Sequence, residues 1–148
     1  MLIKIHSFLF LSILVLSGCG GSEPENLVSK YALAASATPY INAMSIAIAP
    51  APCTSLIVPF EVTSKTLPLP NGFTAKTVSI QKNGSVIWTQ GVATEETSLI
   101  NYQTIQGIAR GCSPNSISAG ETLELRILVA AENSEIEITT SAKLSVVY

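Results

Sequence analysis

Thr122-Leu123-Glu124-Leu125-Arg126-Ile127-Leu128-Val129 is the stretch on which the fold turns. Large apolar residues occupy every second position from Leu123 to Val129, with Thr122, Glu124, Arg126 and Leu128 between them. Successive side chains of an extended chain point to opposite faces, so a period of two marks a strand with one face buried and one wet. A helix would need apolar residues three and four apart, and that spacing is hard to find in the body of the chain.

Outward from this strand the same period recurs. Leu56, Val58, Phe60 and Val62 alternate with Ile57, Pro59, Glu61 and Thr63. Ile136, Ile138, Thr140, Ala142, Leu144, Val146 and Tyr148 hold a single phase. Further strands are expected at residues 28–33, 42–48, 77–82, 85–90 and 99–108, the last without sharp bounds. Turn signals separate them: Thr38-Pro39, Pro50-Ala51-Pro52, the Pro-rich run at 67–72, Asn83-Gly84, Ser113-Pro114-Asn115, Ala119-Gly120 and Glu132-Asn133-Ser134. Seven or eight short strands at this spacing predict an all-β chain, a single antiparallel β-sandwich over residues 27–148. In architecture it resembles the immunoglobulin and fibronectin type III domains. The order Cys53, Trp88, Cys112 matches the immunoglobulin core only superficially, because both cysteines sit in turn-like sequence.

The Asn83-Gly84 hairpin allows its register to be argued. A two-residue loop pairs Ile80 with Ile87 and Ser79 with Trp88, which divides the apolar residues between the faces. A three-residue loop over Lys82-Asn83-Gly84, with Gly84 left-handed, pairs Ile80 with Val86 and Val78 with Trp88. Since register follows the buried face, the expectation is the bulged turn with Trp88 in the core.

The N-terminal residues carry a different signal. Lys4 precedes nine residues from Phe8 to Leu16, of which only Ser12 is polar, and Leu16-Ser17-Gly18-Cys19 follows. Spanning a bilayer takes ~20 apolar residues, so this run is too short to remain a membrane helix; it has the build of a cleaved secretory signal. The four residues ending at Cys19 resemble the lipobox of bacterial lipoproteins. The resemblance covers residues 1–19 and implies removal of residues 1–18, diacylglycerol on the Cys19 thiol, and attachment to a membrane. Gly20, where an Asp would mark inner-membrane retention in that family, points to the outer membrane. Residues 20–26, Gly-Gly-Ser-Glu-Pro-Glu-Asn, hold no apolar side chain and read with Cys19 as a lipidated tether over 19–26.

Once Cys19 is given to lipid, Cys53 and Cys112 remain as an even pair in an oxidising compartment, which reads as one disulfide. The alternative is two free thiols. Charged residues are only 12% of the chain, well below the usual ~25%, and no Asp occurs. Without Lys4, seven Lys or Arg face ten Glu, a net of about −3. That balance argues against nucleic acid and against a polybasic membrane patch.

The catalytic inventory is thin. His6 is the only imidazole and leaves with the signal, which removes most zinc sites; without Asp, calcium loops are excluded as well. Glu95-Glu96 reads as a solvated turn rather than a chelate. No His or Asp completes a serine triad, and no lysine sits in a recognisable Ser–Lys signature. Glu124, Glu135 and Glu137 alternate with apolar residues and are expected on wet strand faces rather than as glycosidase carboxylates. Gly107-Ile108-Ala109-Arg110-Gly111 lacks the ending of a phosphate loop, leaving Arg110 as a loop cation or anion contact. Asn83-Gly84-Ser85 matches a glycosylation acceptor but is better explained as a turn. Among Tyr31, Tyr40, Phe60, Trp88 and Tyr102 most fall in the core phase, and Tyr40 is expected at the surface. The apolar loop at 67–72 with Phe73 reads either as a recognition loop or as a cap on the core. No catalytic residue, cofactor or metal is assigned. The expectation is a lipid-anchored, non-enzymatic module that binds or positions an envelope component, by its loops or an exposed sheet edge. The rival is an envelope carrier holding a small apolar ligand between its sheets.

Overall fold

The computed structural model describes residues 27–44, 53–66, 68–93, 98–131 and 134–148. The proposed signal, Cys19, the tether and Glu95-Glu96 lie outside them. Among the described residues the chain is all-β apart from one short helix, α1 (Leu27–Tyr31). The strands are β1 (Leu33–Ala37), β2 (Tyr40–Asn42), β3 (Ser55–Ser64), β4 (Thr74–Lys82), β5 (Ser85–Gly91), β6 (Ser98–Ile100), β7 (Thr104–Cys112), β8 (Thr122–Ala131), β9 (Ser134–Lys143) and β10 (Ser145–Val147). They form two sheets. One runs β5-β4-β8-β9, and the other β10-β2-β3-β7-β6 with β1 also on β3. Neighbours are antiparallel except for the parallel pair β10–β2.

The alternating residues explain the core. Leu56, Val58, Phe60 and Val62 of β3, Val78 and Ile80 of β4, Ile105 and Ala109 of β7, and Leu123, Leu125, Ile127 and Val129 of β8 are buried in one cluster fed by both sheets. Burying each Leu, Ile or Val of this set contributes about 1.5–3 kcal/mol. Glu124, Glu135 and Glu137 are exposed on the opposite phase, where Arg126 bonds Glu137 at 2.9 Å and lies 3.5 Å from Glu124.

Four local expectations change. Residues 28–33 are not a strand: Val28 and Tyr31, three apart, turn inward together on α1, and the chain enters β1 through Ala32 at φ 45°. The 99–108 segment is two strands, β6 and β7, because Asn101 and Tyr102 both take left-handed backbone between them. Of the 42–48 candidate only residues 42–44 are described, and there the strand, Tyr40–Asn42, ends where the candidate was expected to begin. The single phase from Ile136 to Val146 spans two strands in different sheets. Buried Leu144 sits at the crossover, its N–H bonded to the Glu121 carbonyl, and Ser145 N–H then bonds to Pro39 of the other sheet.

The hairpin is also a correction. Asn83 (φ 52°) and Gly84 (φ 77°) form a two-residue turn of the I′ kind, with Lys82 opposite Ser85 and Gln81 opposite Val86. The register then shifts, so that Ile80 faces Trp88 and Ile87 is the extra residue of a bulge inside β5. Asn-Gly thereby keeps the turn it favours, Val86 falls on the wet face, and Trp88 still reaches the core, at 7% exposure. The core position of Trp88 stands; the bulge lies in the strand rather than in the loop.

The strand directions give the body two poles. At one, α1, the 65–73 connection and the 101–103 turn meet: Lys65 N–H bonds to the Tyr31 carbonyl, Ser64 N–H to Gln103 and Leu69 N–H to Tyr102. At the other lie the Asn83-Gly84 turn, the 113–121 connection and the cysteines.

Candidate binding groove on the six-stranded sheet

The edge formed by β1 and β2 is one strand interrupted at Thr38-Pro39. Ala37 faces Phe60 and Tyr40 faces Ile57, so the register does not slip across the gap. The cause sits opposite. Thr38 N–H donates to the Pro59 carbonyl at 3.0 Å, and the N–H that any other residue would return is missing from Pro59. Pro39, whose own missing N–H would face away from β3, turns its carbonyl to that side and accepts from Ser145 N–H. A proline inside a central strand is thus accommodated where its partner strand is already broken.

At this break the outer face of the sheet is hollowed by a cavity of about 550 Å³. Its floor is the backbone row Ala37, Phe60 and Gly107, whose side chains belong to the inward phase. One wall is polar, from Ser36, Glu61 and Gln106, paired across three strands, with Gln106 Nε2 donating to Glu61 Oε1. The other holds Thr38, Pro59 and Ile108. The inward side of the same row is tightly filled, for a Cβ built on Gly107 would lie 2.5 Å from Cζ of Phe60. One carboxylate, one amide and one hydroxyl face Thr38, Pro59 and Ile108 across this hollow. Such a surface suits hydrogen bonding to an extended polar chain and holds no nucleophile–base pair.

As a group these residues did not stand out in the sequence. They come from three strand segments up to seventy-two positions apart, and the local signs were the Thr38-Pro39 turn signal and Pro59 inside an alternating run.

The other singled-out residues have plain places. Cys53 and Cys112 are disulfide-bonded, their Cα atoms 5.5 Å apart, so the free-thiol alternative is not realised. The bridge lies at the entry of β3 and the end of β7, where Ser113 N–H also bonds to the Thr54 carbonyl. Trp88 Nε1–H donates to the Cys112 carbonyl at 2.9 Å, tying the bridge to the other sheet. Arg110 is exposed near the end of β7, within a strand rather than a loop, opposite Ile57. Leu69 and Phe73 are buried in the core cluster, so the 67–72 connection caps the core at those residues. Tyr31 and Phe60 are buried as expected and Tyr40 is only half-buried. Tyr102, in contrast, is 75% exposed, because the turn carries it off the strand phase.

At the cysteine pole Lys82 holds Glu121 at 2.7 Å while also donating to the Ser116 carbonyl at 2.5 Å. The Lys82 hydrogen bond, with help from the Ser118 N–H, keeps the Glu121 carboxyl below its ordinary 4.5. Among the described residues no group of three or more His, Cys, Asp or Glu is placed to hold a metal ion, and no helix is long and apolar enough to cross a membrane. Comparison with family models, curated proteins and solved structures gives no match to this chain.

Proposed function

We propose that this chain is a cell-envelope lipoprotein, attached through diacylglycerol on Cys19 and placed in the outer membrane. Its body, residues 27–148, is read as an immunoglobulin-like β-sandwich that binds or positions another envelope component without catalysing a reaction. The observation that carries the reading is the pairing of the cysteines. Of three in the chain, Cys53 and Cys112 are bonded to each other, which leaves the unpaired sulfur at the end of Leu16-Ser17-Gly18-Cys19. A bridge of this kind belongs to an oxidising compartment, in keeping with export.

The groove at Pro59 supplies the surface for a partner. Its mixed lining fits a polar chain laid across β1, β3 and β7 better than the small apolar ligand of a carrier, which would need space between the sheets. There, side chains such as Leu56, Ile80, Leu125 and Ile127 are fully enclosed.

Two measurements test the proposal. Mass spectrometry of the membrane-extracted protein should find an N-terminal fragment beginning at Cys19 and carrying acyl chains, and Cys19→Ser should move the protein into the soluble fraction. An unmodified N-terminus at a later residue overturns the anchor. For the groove, a photocrosslinker at Ile108 should capture an envelope component that the same probe at exposed Thr139 does not. Equal labelling from both positions would remove the groove from the proposal.

A further inference from the structure

The pole nearest the proposed anchor has a composition of its own. Residues 20–26 can span at most ~25 Å, so lipid on Cys19 holds the start of α1 within that distance of the bilayer. The hydrogen bonds from Lys65 to Tyr31, from Ser64 to Gln103 and from Leu69 to Tyr102 gather the α1 end, the 65–73 connection and the 101–103 turn at this pole. At its surface stands Tyr102, 75% exposed and held at φ 56°. A left-handed backbone is unfavourable for a residue with a side chain, so the turn keeps an aromatic ring outward at some expense. Buried Leu69 and Phe73 lie in the adjoining connection, and the Tyr102 carbonyl is fixed by Leu69 N–H at 2.7 Å.

We propose that this pole is a lipid-facing surface, with Tyr102 seated at the headgroup layer and the disulfide pole directed away from the membrane. An amphipathic tyrosine, apolar in its ring and polar at its hydroxyl, suits that boundary. One ring alone is a weak anchor, but the tether makes the contact intramolecular and supplies a high effective concentration of bilayer. Exposed Lys30 and Lys65 outnumber Glu135 at this pole, a small attraction to anionic lipid that salt screens, whereas the contribution of the ring should persist when salt is raised. The proposal rests on the lipid anchor at Cys19.

The test uses the full-length lipidated protein in vesicles of phosphatidylethanolamine and phosphatidylglycerol containing a headgroup-nitroxide lipid. An environment-sensitive fluorophore is placed on Gln103→Cys, beside Tyr102, or on Ser116→Cys at the other pole, without reductant so that the disulfide survives. The label at 103 should be quenched several-fold more than the label at 116, at low and high salt alike. Adding Tyr102→Ser should remove much of that difference while the protein still floats with the vesicles. Equal quenching at both positions, or stronger quenching at 116, in protein that floats and carries lipid on Cys19 overturns the lipid-facing pole and leaves the anchor standing. Protein without lipid mass that fails to float overturns both.

Discussion

Gly107 sits opposite Phe60 where a side chain has no room. Gly107→Ala should therefore displace the Phe60 ring and cost about 1–3 kcal/mol, read as a lower urea midpoint with an unchanged slope. Gly84 makes a contrast: open space surrounds its missing Cβ, but its φ of 77° penalises any side chain, so Gly84→Ala should cost about 1–2 kcal/mol through the backbone alone. Glu121 gives a pH signature. Lys82 depresses its folded-state pKa, so the pair stabilises the protein above the ordinary 4.5, and that contribution is lost as pH falls through the depressed value. In urea melts across this range the wild type should lose more stability on acidification than Glu121→Gln; parallel curves would show the contact to be without effect. At this scale the chain was partly legible. The inward place of Trp88 followed from the apolar phase around it, whereas the exposure of Tyr102 followed from two successive left-handed residues that no local pattern announced.

Elements were read best where alternation was long. The β3 and β8 strands each run ten residues, β8 with a strict inward phase and β3 with Ile57 also buried off its phase, and both were evident from apolar spacing alone. Short elements were less so. Two inward residues three apart sufficed to wind α1, and a run that alternates without interruption cannot reveal that its strand changes sheets at Leu144. The β4–β5 hairpin shows two rules competing. Asn-Gly favours a tight I′ turn, and the buried face demands Trp88 beside Ile80; an extra residue at Ile87 satisfies both. Deleting Ile87 should force one to yield, giving a loss of native Trp88 fluorescence or a sharp fall in stability. Wild-type emission and midpoint would show the bulge to be dispensable. The groove was invisible for a related reason, since its walls exist only once β1, β3 and β7 are aligned.

Across the whole molecule the disulfide is the largest single constraint. Cys53 and Cys112 are 59 residues apart, and closing such a loop contributes ~4 kcal/mol in the chain-entropy model. Reduction should lower the urea midpoint by a corresponding amount, followed through Trp88, the sole tryptophan, whose indole N–H bonds to Cys112. An unchanged midpoint would mean the unfolded chain is already constrained there. The broken edge strand has a mechanical consequence. The stretch from Leu33 to Asn42 lies antiparallel along β3, and its last residues run parallel to β10. Traction applied between Leu33 and Val147 would slide these ladders lengthwise, straining many bonds at once rather than peeling them one by one. A body held at Leu33 and tugged at Val147 would thus resist extension along the direction of its strands.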